Sequence, residues 1–210
     1  MVPAAEEREA EEPWSVGSGA DRLDARIYWP ARPGPWPVVV LGQALGFRAV
    51  DPPVPEVARA IAGGGAVAVA VDYRCWGSSG GLPRHLHSLP QQRDDLVTAL
   101  AAARELPGVD GTRAGCWAWS YGAAAAVLAA RQVGDLRGLV LRSPFLSGTR
   151  YVASLALSRA LPQLLRVVGA GVLDALGAAA GGAPRYAPLV GPRCASAAPF
   201  WEPGPGDGYR

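Results

Sequence analysis

The chain has 210 residues, and 50% of them are apolar, which is enough for one sizeable hydrophobic core. Its formal net charge of +2 is too small, and its charged residues are too scattered, to indicate a nucleic-acid-binding protein. The three cysteines, Cys75, Cys116 and Cys194, have neither metal-site nor redox spacing, and their odd number argues against a disulfide framework, so we expect reduced thiols in a cytoplasmic protein.

The N-terminal part of the chain changes character near Trp14. Residues 1–13 are acidic and contain no apolar core, so we expect a flexible segment and no secretory signal. Residues 14–16 and 22–29 then predict an antiparallel hairpin, joined through a glycine-rich turn.

Strands and helices alternate over the next hundred residues. Short, continuous apolar runs predict buried strands, and amphipathic spacing predicts the helices between them. The predicted strands are residues 37–42, 66–73 and 136–141, and the predicted helices are residues 54–61 and 91–106. This alternation indicates an α/β fold with a doubly wound, mostly parallel sheet, in which functional sites lie at the carboxyl ends of the strands.

Ser120 lies at such a strand end. Residues 114–119 are a further apolar strand, and an alanine-rich helix is predicted from Tyr121 onwards. A serine at a strand-to-helix corner presents its hydroxyl outwards, with helix N-terminal N–H groups beside it, as in the nucleophile elbow G-x-S-x-G. Here the pattern is Ala118-x-Ser120-x-Gly122, with a small residue at the first position. The alternative is a serine that only caps the helix, and the order of the strands favours the elbow.

From residue 14 to residue 190 the chain resembles α/β-hydrolases with a dienelactone-hydrolase or X-Pro-dipeptidyl-peptidase-like core. The similarity rests on the elbow and on a set of shorter motifs. These motifs are Val39-Val40-Leu41-Gly42, Asp72-Tyr73-Arg74, Trp76-Gly77-Ser78-Ser79-Gly80, Pro83-Arg84, Gln92-x-x-Asp95-Leu96 and Leu106-Pro107-Gly108-Val109-Asp110. Trp-Ser-Tyr-Gly also resembles the elbow of prolyl-oligopeptidase-type enzymes, so a serine peptidase stays an alternative.

The resemblance implies roles for individual residues. Ser120 would be the nucleophile, with the backbone N–H of Tyr121 and that of Ala44 or Leu45 forming the oxyanion hole. Gln43, Phe47 and Trp119 would line the pocket. Gln43-Ala44 stands where the family usually carries His-Gly, but an oxyanion hole made of main-chain donors does not need that histidine ring. The implied substrate is a small ester or related acyl compound, without a cofactor or metal.

The catalytic base is missing from the expected place. The family order is serine, then aspartate or glutamate, then histidine, and no histidine follows Ser120. The only two histidines, His85 and His87, precede it in a loop, where we expect exposed side chains beyond hydrogen-bonding reach of the serine hydroxyl. We therefore expect a C-terminally incomplete hydrolase fold. Three interpretations remain: a serine hydrolase, a non-catalytic binding or interaction protein, and a truncated inactive product.

The rest of the chain gives weaker signals. Four carboxylate residues come after Ser120 in the chain: Asp135, Asp174, Glu202 and Asp207. None of them directly follows a recognisable strand. Residues 147–190 predict a helical lid or a packing segment, whose apolar stretch is interrupted too often by charges and proline to span a membrane. An exposed apolar face of this kind favours self-association. Residues 191–210 form a tail rich in proline and glycine.

Overall fold

Six strands form one mixed sheet in the computed structural model, which describes residues 10–17, 19–150, 153, 161–183, 190–191 and 200–201. In chain order the strands are β1 (Glu11–Val16), β2 (Leu23–Tyr28), β3 (Trp36–Gly42), β4 (Val67–Val71), β5 (Val109–Trp119) and β6 (Gly138–Arg142). Their order across the sheet is β1-β2-β4-β3-β5-β6. The strand β2 pairs antiparallel with both β1 and β4, and β3 to β6 are parallel to one another. The predicted fold class is therefore confirmed.

Three helices cover the sheet: α1 (Val54–Gly63), α2 (Leu89–Arg104) and α3 (Gly122–Val133). The helix α1 packs on β2, β3 and β4, whereas α2 and α3 pack on each other and on β5. Every residue of β4 is buried, as expected for a strand with both faces covered. The continuous Val-Ala run of β4 is therefore a consequence of its central position.

Two strands begin earlier than the sequence predicts, because their first residues do not follow an apolar pattern. The strand β5 starts at Val109 and not at residue 114, because its first residues are half-buried or exposed and carry no apolar signal. The strand β1 starts at Glu11, inside the segment predicted to be flexible. Side-chain contacts explain this: Glu11 pairs with Arg26 at 2.9 Å, and Glu12 accepts a hydrogen bond of 2.7 Å from the indole of Trp29.

Contacts divide the chain into two compact units, Met1–Leu146 and Ser147–Arg210. The second unit contains helix α4 (Leu161–Ala179) and a two-stranded parallel pair, β7 (Val190–Gly191) and β8 (Phe200–Trp201). Several large apolar side chains of α4 are exposed, among them Leu165, Val168, Val172 and Leu176. Within the described ranges, every helix falls short of the length and apolarity that crossing a bilayer requires.

Candidate active site

Ser120 occupies a sharp corner between β5 and α3. Its φ is +53°, in the left-handed region that residues with a side chain rarely adopt. The corner is held by the end of β6 and the chain that follows it: the Ser120 N–H donates to the carbonyl of Arg142 at 3.0 Å, and the Phe145 N–H donates to the carbonyl of Ser120 at 3.0 Å. The strained strand-to-helix geometry expected for a nucleophile elbow is confirmed.

Gly122 brings the loop after β3 against this corner. A Cβ atom at Gly122 would collide with the carbonyl oxygen of Gln43 and would lie 2.8 Å from that of Gly42. Only glycine permits this approach, which gives a physical reason for the last position of the elbow pattern. The residues predicted to form the oxyanion loop therefore lie beside the elbow.

Residues 43–47, which include the predicted oxyanion-hole residues, turn tightly after β3. The N–H of Phe47 donates to the carbonyl of Ala44 at 3.2 Å, and the Phe47 ring contacts the Trp119 ring with centroids 4.8 Å apart. Ala44 is buried and Leu45 is half-buried. Gln43 is only 1% exposed, and among the described residues neither atom of its side-chain amide has a hydrogen-bond partner. The predicted pocket residues thus lie close to the elbow, with a buried polar group among them.

A second aromatic group lies on the other side of Tyr121. The ring of Tyr121 meets the ring of His87 edge to face at a centroid distance of 5.6 Å, and it lies 5.9 Å from the Phe145 ring. The His87 ring also contacts Trp76 at 4.5 Å. The elbow is consequently bordered by aromatic side chains from three separate loops.

The prediction of exposed loop histidines is right for His85 and wrong for His87, which is half-buried. The loop folds back on itself: His85 has a φ of +64°, and its N–H donates to the carbonyl of Cys75 at 2.8 Å. This reversal carries His87 inwards against Trp76 and Tyr121. Sequence reasoning missed it because loop residues have no periodicity.

The imidazole of His87 is held in place and neutral at pH 7. Its Nδ1 lies 3.2 Å from Nε2 of Gln92, and its buried Nε2 has no hydrogen-bond partner among the described residues. Burial, and to a lesser degree the nearby charge of His85, lowers the pKa of His87 to about 4. Between described residues, no hydrogen bond joins either histidine to the Ser120 hydroxyl.

Two further carboxylates, those of Asp72 and Asp135, have structural partners. The carboxylate of Asp72 accepts backbone N–H groups of Ala49 at 2.6 Å and Ser78 at 3.2 Å, and burial raises its pKa. Asp135 is paired with Arg104 at 2.7 Å on the surface. Asp174 lies in α4, and Glu202 and Asp207 lie outside the described residues. Within the described part of the chain, no group of three or more metal-binding side chains occurs.

Comparisons with known proteins agree with this geometry. Residues 54–176 match the family described as serine aminopeptidase, S33. The quorum-quenching protein AidA of Acinetobacter baumannii (strain MDR-ZJ06) is 29% identical over 171 residues, which are 81% of this chain and 55% of AidA. The chain thus spans little more than half the length of this relative.

Solved structures with the same fold are more distant in sequence. The alpha/beta hydrolase GrgF from Penicillium sp. sh18 superposes with a TM-score of 0.66 at 19% identity, covering 86% of this chain and 59% of GrgF. The dienelactone hydrolase-like promiscuous phosphotriesterase P91, from metagenomic libraries, gives a TM-score of 0.54 at 22% identity, covering 64% of this chain and 59% of P91. These structural similarities show that the chain has the α/β-hydrolase fold.

Proposed function

The chain belongs to the family described as serine aminopeptidase, S33, within the α/β-hydrolases, and from this premise we propose that it is a serine hydrolase of esters or related acyl compounds. The observation that carries the proposal is the backbone of Ser120, held at a φ of +53° between a central strand and a helix N-terminus. A protein maintains such strain where an exposed nucleophile is useful.

In this proposal the Ser120 hydroxyl oxygen attacks the acyl carbon of the substrate. The negative charge that develops on the carbonyl oxygen is stabilised by the N–H of Tyr121 and by that of Ala44 or Leu45. The close contact between Gly122 and the carbonyl of Gln43 supports this assignment, because it brings the two donor segments together.

The neighbours of the elbow favour an uncharged acyl group. The rings of Phe47 and Trp119 contact each other next to the elbow, and so do those of Tyr121 and His87. An aminopeptidase would need a carboxylate for the charged amino terminus of a peptide. Two buried candidates, Asp72 and Asp95, are already engaged by backbone N–H groups and, for Asp95, by Arg74. Ester chemistry therefore fits these residues better than aminopeptidase chemistry.

We further propose that full turnover needs a base that residues 1–210 do not supply. A serine hydroxyl without an adjacent base is a weak nucleophile at neutral pH. Both histidines precede Ser120, and no hydrogen bond between described residues joins His87 to the Ser120 hydroxyl. The oxyanion hole alone leaves an acceleration on the order of 10³ to 10⁴ over water, whereas loss of the acting triad costs about 10⁶ in turnover.

Chemical rescue tests both parts of the proposal. The purified chain is assayed with p-nitrophenyl butyrate, with and without added imidazole, beside the variants Ser120→Ala and Ser143→Ala. Ser143 is a matched control because it also has a positive φ, +45°, just after β6. Imidazole alone cleaves p-nitrophenyl esters, so the protein-free rate is subtracted at each imidazole concentration. After this subtraction we expect imidazole to accelerate hydrolysis by the wild-type chain and by Ser143→Ala, and not by Ser120→Ala.

Two results would count against the proposal. Strong Ser120-dependent hydrolysis without imidazole would show that the chain contains its own base. Equal rates for the wild-type chain and Ser120→Ala at every imidazole concentration would favour a non-catalytic binding protein.

A further inference from the structure

The His87 side chain has a polar atom beside the elbow that the fold itself does not use. Its ring is held between Trp76, at 4.5 Å, and Tyr121, at 5.6 Å, and its Nε2 is buried without a partner among the described residues. A buried polar nitrogen that makes no hydrogen bond costs about 1–3 kcal/mol, so such atoms are uncommon unless a ligand uses them.

The contact with Gln92 determines what this nitrogen can do. The atom of Gln92 that faces Nδ1 is the amide nitrogen, at 3.2 Å, and an amide nitrogen donates but does not accept. Nδ1 must then accept, which places the single proton of the neutral ring on Nε2. His87 therefore has a hydrogen-bond donor at Nε2 and no lone pair there, so it does not serve as the base for Ser120.

We propose that His87 is a substrate-binding residue whose Nε2–H donates to an uncharged acceptor oxygen near the acyl carbonyl of the substrate. This inference rests on the proposed acyl site at Ser120 and narrows its substrate class. Because the pKa of His87 is lowered to about 4, the ring is neutral at pH 7 and offers a directional donor without a positive charge. Such a donor suits an ether or carbonyl oxygen in the acyl group.

The tautomer is tested first. The chain has only two histidines, so long-range ¹H–¹⁵N spectra of the labelled protein contain two imidazole patterns, assigned with His85→Phe and His87→Phe. We expect the Nε2-protonated pattern for His87 at pH 7. A proton on Nδ1 would overturn the inference, because Nε2 would then be an acceptor.

Ligand preference is tested second, with two stable anilides of matched size. In 2-methoxyacetanilide an ether oxygen replaces one methylene of butyranilide, so the pair isolates one acceptor. We expect the wild-type chain to bind the methoxy compound roughly threefold to tenfold more tightly, the range that one net hydrogen bond gives. His87→Phe, which keeps an aromatic ring between Trp76 and Tyr121, should lose this preference.

Two further variants separate recognition from packing. His85→Phe is the matched control: His85 also contacts Trp76, at 5.0 Å, but it does not enter the proposed site, and the preference should persist. Gln92→Glu places a carboxylate beside Nδ1, which favours the protonated ring, so Nε2 keeps its proton. The preference for the methoxy compound should therefore persist in this variant, and its loss would show that Nε2–H is not the donor.

The amide resonances of Tyr121 and Gly122 distinguish the possible failures. If neither anilide shifts them, the acyl site is absent, and the proposed function fails together with the inference. If both anilides shift them equally and His87→Phe changes nothing, the acyl site stands and the role of His87 is wrong.

Discussion

The loops after β4 and β5 both leave the same edge of the sheet and both contain residues with positive φ, yet the strained residues have different surroundings. In the loop after β4, Cys75 has a φ of +70°, and after β5, Ser120 has a φ of +53°. Beside Cys75, the charged side chains of Arg74 and Arg84 are paired, although the buried hydroxyl of Tyr73 has no hydrogen-bond partner among the described residues. Near Ser120, the Gln43 amide and the Nε2 of His87 have no partner among the described residues.

The loop after β4 is a network of buried hydrogen bonds. Arg74 donates from its backbone N–H and its guanidinium to Asp95, at 2.9 and 2.5 Å. Arg84 donates to the carbonyls of Ser79 and Gly77, at 2.6 and 2.7 Å. These hydrogen bonds hold the strained backbone of the loop in place. Strain alone therefore does not mark a functional site.

Removing the Asp95 carboxylate, which binds Arg74 in the loop after β4, should have the largest effect on the free energy of unfolding. Asp95 is 1% exposed, and Asp95→Ala leaves the Arg74 guanidinium without its buried partner. We expect the free energy of unfolding to fall by about 3 to 5 kcal/mol, measured by urea denaturation. The neighbouring Asp94→Ala is the control, because its ion pair with Arg93 is on the surface and should contribute less than about 1 kcal/mol. Equal losses for the two variants would contradict the comparison.

The burial of His87 should be measurable in the pH dependence of the free energy of unfolding. The pKa of His87 falls from 6.5 to about 4 on folding, so between these values the unfolded chain binds a proton that the folded chain does not. Stability from this group is therefore complete above pH 6.5 and decreases as the pH falls towards 4, by about 3 kcal/mol. His87→Phe should remove that loss, and His85→Phe should not.

Other buried groups also take up protons on acidification, so the comparison of variants is needed. Burial raises the pKa values of Asp72 and Asp95, and their protonation on acidification works in the opposite direction. The difference between the wild-type chain and His87→Phe isolates the histidine. Parallel pH curves for the two proteins would show that His87 is protonated as easily in the folded state as in the unfolded state.

The sequence predicted those features that depend on local pattern. The apolar runs located β3 and β4, and the corner from Ala118 to Gly122 located the elbow, because both follow from rules that act over a few residues. The spatial order of the strands, with β4 between β2 and β3, is not contained in any local pattern. It follows from the resemblance to the hydrolase family.

The part of the site that sequence reasoning missed depends on a loop. The position of His87 is determined by the reversal at His85 and by the Trp76 ring, and the amide of Gln92 comes from the following helix. None of these contacts has a characteristic spacing. The burial of Gln43 was missed for a similar reason, since it depends on the close approach that Gly122 permits.

Substitutions of two serines, Ser79 and Ser120, test the comparison through the smallest expected changes in the free energy of unfolding. The Ser79 hydroxyl, in a residue that is 3% exposed, donates to the carbonyl of Asp72 at 2.6 Å and accepts from the N–H of Asp24 at 2.8 Å. Ser79→Ala leaves both groups without this partner, and we expect a loss of about 2 kcal/mol in the free energy of unfolding. No hydrogen bond between described residues involves the Ser120 hydroxyl.

Ser120→Ala should therefore change the free energy of unfolding by less than about 0.5 kcal/mol, although it removes the proposed nucleophile. Ser120→Gly should even stabilise the fold slightly, because glycine adopts a φ of +53° without strain. Urea denaturation of the three variants, with unchanged slopes, measures both effects on one scale. If Ser120→Ala cost as much as Ser79→Ala, the Ser120 hydroxyl would be part of the structural network, and its assignment as a nucleophile kept free for chemistry would lose its support.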